Sequence, residues 1–285
     1  MSDRKRVAIA VLHGLSSEKQ FYSVEFKHRV TETYLGLNEN FQEEDLVFQE
    51  IYWGDLVGGQ IQTLFERINY RNDLTYLELR RILIDYLGIT HAYRSGRRNA
   101  LYLAIHDRIR NGLRKLATHK RVDAHSTPLV VIAHSLGGVF FSDYAWDLSE
   151  EKSLSGMTDD VVSPLERLET FAGFVTFGNP MAMLAAMNPE QFDRPVRVGG
   201  SALDEVTKAN SRWYNFYDKD DIIACPLKKL NSAYEEAVSE DIEVNVGSVA
   251  TSWNPACHNG YWEDKDFYKP VAEFLSQLRA EHVFW

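Results

Sequence analysis

The chain has 285 residues, of which 45% are hydrophobic and 25% are charged, a composition typical of a globular protein with a full core. Its formal net charge of -10 argues against non-specific binding of nucleic acid, since such binding needs cations to neutralise phosphates. The apolar run at residues 7–12 is too short for a signal peptide, and no stretch approaches the roughly 18 apolar residues of a membrane span. We therefore expect a cytoplasmic protein.

Five short apolar runs predict the strands of a sheet. They lie at residues 7–12, 46–52, 129–133, 171–177 and 213–217. Most are apolar throughout, as expected for strands that are covered on both faces, and helical patterns fill the intervals. This alternation indicates β-α-β units and an α/β fold with a mainly parallel sheet flanked by helices.

The segment 55–121 is far longer than one crossover connection needs, and its apolar spacing predicts a helical insertion. A capping box of Thr75 and Glu78 is expected to start its second helix. The apolar stripes of the three helices are Ile61, Leu64, Phe65 and Ile68; Leu79, Ile82, Leu83, Tyr86 and Leu87; and Leu101, Ile105, Ile109 and Leu113. Residues 55–90 form either a lid hinged at Gly58 and Gly59 or a plain structural insertion.

Three further segments depart from the strand–helix rhythm. Residues 149–168 are acidic and rich in serine, which predicts a surface loop, and residues 188–211 are expected to be irregular. Residues 91–121 hold nine Lys or Arg against one acid, Asp107. We interpret that charge as a solvated helix face, and leave open contact with an anionic substrate, a lipid head group or the surface of a membrane.

The strongest chemical signal is PLVVIAHSLGGVFFSDYA at residues 128–145, where a buried strand runs through a tight turn into a helix. A serine hydroxyl is a weak nucleophile, and such a turn presents Ser135 to a base. The strain of the turn requires small residues two positions before and after, which Ala133 and Gly137 supply. The Leu136 N–H and the helix start would stabilise a developing oxyanion. The alternative is a serine that merely begins a helix.

This stretch resembles the G-x-S-x-G nucleophile elbow of α/β hydrolases, with Ala133 in place of the first glycine. The resemblance implies an α/β-hydrolase fold, residues 1–285 as a single domain, and a serine hydrolase similar to lipases and esterases. It also implies that the triad follows in the order Ser, Asp or Glu, His. No cofactor and no metal are expected, because the chain lacks an H-E-x-x-H pattern, paired C-x-x-C motifs and a phosphate-binding glycine loop.

That order leaves two histidines as candidates for the base, His258 and His282. His282 lies on a polar stretch after a helical pattern. His258 lies in a loop before the last helical pattern, and with Tyr261 and Trp262 it resembles the His-x-x-Tyr-Trp run of lipases. We predict His258 as the base; a histidine of a surface loop is the alternative.

The triad acid is expected after the strand at 213–217, where Asp218, Asp220 and Asp221 cluster. Asp221 is preferred because it directly precedes Ile222-Ile223-Ala224, similar to the acid of lipase-like hydrolases. Asp220 comes second and Asp218 third, and a solvated turn would give the same cluster. The acid would hold the tautomer of His258 and stabilise its imidazolium form.

The end of the first strand, Val-Leu-His-Gly-Leu-Ser-Ser at 11–17, resembles the His-Gly segment of α/β hydrolases. Gly14 would let the backbone turn close to the substrate. The resemblance implies an oxyanion hole built from the N–H groups of Leu15 and Leu136, with His13 in a structural role. Residues 176–180 resemble the Thr-Phe-Gly-x-Pro run of lipases and are expected to form a pocket wall.

Together these features predict cleavage of an ester or thioester of a small-molecule or lipid-like acyl substrate. An acyltransferase, a peptidase and a non-catalytic ligand receptor are the alternatives. Cys225 and Cys257 lie in two loops that a triad would bring together, so a disulfide is conceivable, although reduced thiols are favoured in the cytosol. Oligomeric state and the identity of the substrate stay open.

Overall fold

The structure is a computed structural model that describes residues 5–14, 20–71, 73–94, 99–149, 162–187, 193–247 and 255–279. In these ranges one parallel sheet has the strand order β2-β1-β3-β4-β5-β6. The strands are β1 (Val7–Leu12), β2 (Leu46–Ile51), β3 (Leu129–His134), β4 (Phe171–Phe177), β5 (Arg212–Asp218) and β6 (Glu240–Val244). The α-helices are α1 (Val24–Leu37), α2 (Gly58–Ile68), α3 (Leu77–Arg94), α4 (Ala100–Ala117), α5 (Leu136–Ser149), α6 (Met181–Met187), α7 (Glu205–Ala209), α8 (Ser232–Ala237) and α9 (Lys265–Arg279).

Hydrophobic packing on both faces explains the near-continuous apolar character of the central strands. Every residue of β1, β3 and β4 is buried. One core forms between the sheet and the helices that carry Leu113 and Phe141, and the other forms on the face that holds Phe26 and Phe274. The predicted α/β architecture with a parallel sheet is confirmed.

The sequence placed five of these strands well and missed the sixth. The predicted strands 7–12 and 171–177 have the observed bounds, those at 46–52 and 129–133 differ by one residue at one end, and that at 213–217 is one residue longer at each end in the structure. β6 was missed because its sequence, EDIEV, is mostly charged. Among the described strands it pairs with β5 alone, at the edge of the sheet, where polar side chains keep their contact with water.

Two segments were expected to be irregular, and the structure describes each of them in part. Within 188–211 the prediction was wrong for Glu205–Ala209, which forms the short helix α7. Asp204 caps this helix, since its side chain accepts a hydrogen bond from the Thr207 N–H. In the predicted loop at 149–168, residues 150–161 lie outside the described residues.

The segment 55–121 contains α2, α3 and α4, and its last helix buries the predicted face. Ile105, Ile109 and Leu113 of α4 have no exposed surface. In α3 the predicted stripe was partly wrong, because Leu83 is 40% exposed and Leu87 is 59% exposed. The residues that α3 buries against the core are Ile82, Tyr86, Ile89 and Tyr93.

The helix α2 also departs from its predicted stripe. Leu64 is 49% exposed and Ile68 is 42% exposed, whereas Phe65 is partly covered by the Arg81 guanidinium, 5.2 Å from the ring centre. Apolar periodicity identified the helix, but the described residues leave part of its apolar face uncovered.

The side chain of Glu78, one half of the predicted capping box of α3, lies outside the described residues. Tyr76, with a φ of 56°, precedes the first helical residue, and its carbonyl accepts the first helical hydrogen bond, from the Arg80 N–H. Thr75 therefore lies one residue before the N-cap position, where its carbonyl accepts a hydrogen bond from Arg80 Nε.

Among the described helices, none combines the length and the apolar character needed to cross a membrane.

Candidate active site

Ser135 lies in the turn between β3 and α5 with a φ of 51°, a left-handed conformation that is strained for a residue with a side chain. Its N–H donates to the Phe177 carbonyl at 2.9 Å, which ties the turn to the end of β4. A methyl group at Gly137 would lie 2.6 Å from the His13 carbonyl oxygen, so this position accommodates only glycine without movement of the backbone. The close approach of His13, just after β1, therefore explains why a small residue is needed two positions after Ser135.

Three side chains from different loops meet at the carboxyl edge of the sheet. His258 Nε2 lies 3.0 Å from Ser135 Oγ, and His258 Nδ1 lies 2.8 Å from Asp221 Oδ2. Because an ionised carboxylate only accepts hydrogen bonds, the proton of neutral His258 belongs on Nδ1, and Nε2 is left to accept from the Ser135 hydroxyl. Each of the three residues is at most 2% exposed. The arrangement can remove a proton from a serine hydroxyl.

Asp221 is the partner of His258 among the three clustered acids. Its Oδ2 also accepts from the Tyr261 hydroxyl at 3.1 Å, and its Oδ1 accepts from the Ile223 N–H at 3.1 Å. Burial alone would raise the pKa of Asp221, but the charge and hydrogen bond of nearby His258 and the hydrogen bond from the Ile223 N–H outweigh burial and hold the pKa below its usual value. The carboxylate therefore stays ionised at neutral pH.

Asp218, by contrast, forms hydrogen bonds with nearby main-chain N–H groups and with Tyr261. Its carboxylate accepts from the Val246 N–H at 2.7 Å and from the Asp220 N–H at 2.8 Å, and its own N–H donates to the Tyr261 hydroxyl. It therefore shapes the loop that carries Asp221.

A buried network of hydrogen bonds between β4, β5 and β6 holds the loop that carries Asp221. Thr176 accepts from Trp213 Nε1 at 3.1 Å and donates to Asn215 Oδ1 at 2.9 Å. Asn215 Nδ2 in turn donates to the Cys225 carbonyl at 3.1 Å and to Asp241 Oδ1 at 2.8 Å. Asp241 belongs to β6, so the strand that the sequence analysis missed helps to hold the loop of Asp221. Thr176, expected in a pocket wall, belongs to this network.

Of the two residues predicted to form the oxyanion hole, Leu136 lies within the described residues. Leu136 begins α5 directly after Ser135 and is buried. Leu15 lies outside the described residues. Its neighbour Gly14 approaches Ser135 so closely that a methyl group there would lie 2.5 Å from Ser135 Cβ.

His13 is part of the packing behind this turn. Its ring stacks on Trp53 at 4.5 Å and 9° from parallel, and its Nε2 accepts from the Trp53 N–H at 3.1 Å. Nδ1 donates to the Gly14 carbonyl at 2.7 Å. Burial lowers the pKa of His13 to about 4, so the ring is neutral at pH 7. These contacts match the structural role expected for His13.

The helical insertion reaches the candidate site. Helix α3 lies against the 3-10 helix Pro255–Glu263, which carries His258. Acids from other elements neutralise several cations of the basic segment 91–121; the ion pairs are Arg94–Asp143, Arg108–Asp55, Arg114–Glu166 and Arg121–Glu44. The pairing favours a solvated, internally balanced surface for that segment.

Cys225 and Cys257 are free thiols in the structure, so the disulfide that was conceivable from sequence is not formed. Burial raises the pKa of Cys257 to about 12, which keeps it protonated and unreactive at neutral pH. Within the described ranges no three His, Cys, Asp or Glu side chains form a group that could hold a metal ion.

His282, the second histidine candidate, lies outside the described residues. His134 was given no role from the sequence, and Gly178 was expected only as part of a pocket wall; both touch the site. A methyl group at Gly178, whose φ is 57°, would lie 3.0 Å from His134 Nε2 and 3.2 Å from His258 Cε1. The presence of His134 beside the predicted nucleophile, at the end of a buried strand, was the signal available for it.

Comparison with known proteins adds no relative to this description: no family model matches the chain, and no curated protein matches it significantly.

Proposed function

We propose that this protein is a serine hydrolase of the α/β-hydrolase type, which cleaves a carboxylic ester or thioester through an acyl-enzyme on Ser135. The observation that carries the proposal is the hydrogen-bonded chain from Ser135 Oγ through His258 to Asp221, with distances of 3.0 Å and 2.8 Å. A base within hydrogen-bond reach of a hydroxyl, oriented by a buried carboxylate, is the arrangement that activates a serine.

In the first half of the reaction, Ser135 Oγ attacks the carbonyl carbon while its proton moves to His258 Nε2. The tetrahedral intermediate collapses, the bond to the leaving group breaks, and His258 returns the proton to the departing alcohol or thiol. In the second half, water gives a proton to His258 and attacks the acyl-enzyme. The carboxylic acid then leaves as Ser135 recovers its proton.

Asp221 and the turn after Ser135 supply electrostatic stabilisation. Asp221 holds the Nδ1–H tautomer and stabilises the imidazolium that forms in each half-reaction, because its lowered pKa keeps it ionised. The main-chain N–H of Leu136 is the proposed donor to the oxyanion, together with that of Leu15.

The preference for esters and thioesters rests on resemblance to lipases at residues 176–180 and 258–262, and the acyl substrate is a small molecule or a lipid. Resolution of the acyl-enzyme by an alcohol or amine would make the protein an acyltransferase, and turnover of amides would make it a peptidase. A cytoplasmic location likewise stays a prediction.

Labelling with a fluorophosphonate probe tests the proposal, because the probe reacts covalently only with an activated serine. We expect the wild type and His282→Ala to be labelled, and Ser135→Ala and His258→Ala to remain unlabelled. Ser149→Ala, at the other end of α5, is the matched control and should label normally. Equal labelling of the wild type and Ser135→Ala would refute the nucleophile, and an unlabelled, folded wild type would favour a non-catalytic receptor.

A panel of p-nitrophenyl esters, thioesters and anilides, with and without alcohol or amine acceptors, separates the reaction types. Free acid as the main product from esters or thioesters supports a hydrolase. Products that carry the added acceptor would indicate an acyltransferase, and preferred release from anilides would indicate a peptidase.

A further inference from the structure

His134 ends β3, directly before Ser135, and the proposed reaction gives it no role. Its side chain has no exposed surface. The ring lies between two others: Phe177 is 4.8 Å away and 24° from parallel, and His258 is 4.8 Å away and 36° from parallel. Trp262 meets it edge-on at 5.6 Å. The strand that presents the nucleophile therefore also sends a histidine into the loop of the proposed base.

The hydrogen bonding of His134 identifies its protonation state. Its Nε2 lies 2.9 Å from the carbonyl oxygen of His258. A carbonyl oxygen only accepts, so the proton of His134 is on Nε2, and Nδ1 carries a lone pair. Nδ1 is buried and has no hydrogen-bond partner among the described residues. A second proton there would have nothing to bond to, and burial together with the neighbouring His258 lowers the pKa of His134 well below its ordinary value.

The hydrogen bond from His134 to the His258 carbonyl connects the proposed nucleophile, Ser135, to the proposed base. His134 is covalently adjacent to Ser135, and its ring holds the main chain of His258. Once the main chain of His258 is held, the side-chain torsions of His258 place its ring against both Ser135 Oγ and Asp221 Oδ2. Gly178 leaves just enough room for the two imidazoles to lie side by side, since a methyl group there would approach both within 3.2 Å.

We infer that His134 is a positioning residue, which fixes His258 at the distance from Ser135 that proton transfer requires. The inference rests on the proposed function for its catalytic consequence, although the hydrogen bond itself can be tested without any turnover. A positioning role predicts a loss in the chemical step with little change in substrate affinity, because His134 contacts His258 and is fully buried.

Substitutions that differ in one property separate the hydrogen bond from the packing. His134→Phe keeps a ring between Phe177 and His258 and removes the donor. His134→Gln and His134→Met have similar lengths, but only Gln can donate to the His258 carbonyl. We expect kcat and the rate of fluorophosphonate labelling to fall by about 10- to 100-fold in the Phe and Met variants, with KM within about twofold, and to recover partly in the Gln variant. His125→Phe, at an exposed histidine, is the control and should match the wild type.

Several outcomes would overturn the inference. Wild-type kcat in His134→Phe, or equal rates in the Gln and Met variants, would show that the hydrogen bond does not position His258. If the Phe variant does not fold, the comparison of Gln with Met decides. A parallel rise of KM and fall of kcat in all variants would indicate a general structural role instead.

Nitrogen-15 NMR of the histidine rings keeps this test independent of the proposed function. We expect His134 to show the Nε2–H tautomer and to stay neutral at pH 6.5, where an ordinary histidine is half protonated, because its pKa is lowered. An Nδ1–H tautomer, or a ring that is half protonated at that pH, would refute the hydrogen bond. An unlabelled wild type with the expected tautomer would refute the proposed function and the catalytic consequence inferred for His134, and it would leave the bond to His258 standing.

Discussion

The predictions for the carboxyl edge of the sheet, which came from motifs and a resemblance, and for the helical insertion at 55–121, which came from apolar spacing, compare very differently with the structure. At the sheet edge, His258 lies 3.0 Å from Ser135 and 2.8 Å from Asp221, the two partners predicted from the sequence. In the insertion the helices exist, but Leu83 and Leu87 of α3 point to solvent. The difference shows that a site built on buried strands has few alternatives, whereas a helix with few neighbours can turn its apolar stripe in several directions.

The first prediction concerns the acid at the sheet edge. Asp221→Asn should lower kcat by about 10⁴-fold with the fold retained, because an amide no longer selects the Nδ1–H tautomer of His258. Steady-state kinetics on an ester substrate measure this. Asp220→Asn is the matched control and should stay near wild type. If Asp220→Asn loses activity and Asp221→Asn keeps it, Asp220 is the acid and the site predicted at the sheet edge is wrong.

The second prediction tests the two faces of α3 with neighbouring residues. Ile82 is 6% exposed and Leu83 is 40% exposed. Ile82→Ala should lower the free energy of unfolding by about 2–4 kcal/mol, since it leaves a cavity in the core. Leu83→Ala should change it by no more than about 0.5 kcal/mol. Urea unfolding followed by circular dichroism gives both values. Equal losses would mean that the stripe expected from the sequence, with Leu83 inside, is correct after all.

The third prediction concerns His13, which lies just after β1 at the carboxyl edge of the sheet. Its pKa of about 4 in the folded protein lies below the ordinary value of 6.5, so between these values the unfolded chain binds a proton that the folded chain does not. The free energy of unfolding should therefore fall as the pH drops from 6.5 to 4, and His13 should account for up to about 3 kcal/mol of that fall.

Unfolding of wild type, His13→Gln and His125→Gln across this pH range checks the prediction. The His13 variant should start less stable and show a shallower dependence on pH. The His125 variant, changed at an exposed position, should keep the wild-type slope. A His13→Gln slope equal to that of the wild type would show that His13 is not buried against Trp53 in a neutral form.

The fourth prediction compares two glycines. Gly178→Ala should cost about 1–2 kcal/mol, because its φ of 57° disfavours a side chain and the new methyl group would press on the rings of His134 and His258. Gly36→Ala, in α1 with no atom within 4 Å of the added group, should stabilise the protein by up to about 1 kcal/mol. Thermal unfolding measures both. A neutral Gly178→Ala would mean that the sheet edge is less tightly packed than its hydrogen bonds indicate.

Local pattern was sufficient wherever one physical requirement dominated. Strands buried on both faces must be apolar throughout, so β1, β3 and β4 were readable to within one residue. The strained turn at Ser135 needs small neighbours, and the close approach of His13 to Gly137 explains why. Asp221 was preferred over Asp218 by resemblance alone, and the structure adds that Asp218 is already bonded to the Val246 N–H.

Where several partners had to be known at once, the sequence was not enough. The mostly charged strand β6 joins the sheet at an edge, and its Asp241 meets Asn215 only once β5 is in place. The exposure of Leu83 and Leu87 depends on which elements cover α3. The bond from His134 to the His258 carbonyl spans 124 positions along the chain.

The sequence by itself thus determined an α/β chain with a parallel sheet and a small set of residues suited to nucleophilic chemistry, because burial and turn strain leave their mark on adjacent residues. Tertiary structure alone decided that Asp221 faces His258, that His134 holds the main chain of that histidine, and which side of α3 is buried. Each of these depends on contacts between residues far apart in the chain, and no local spacing encodes the distance between them.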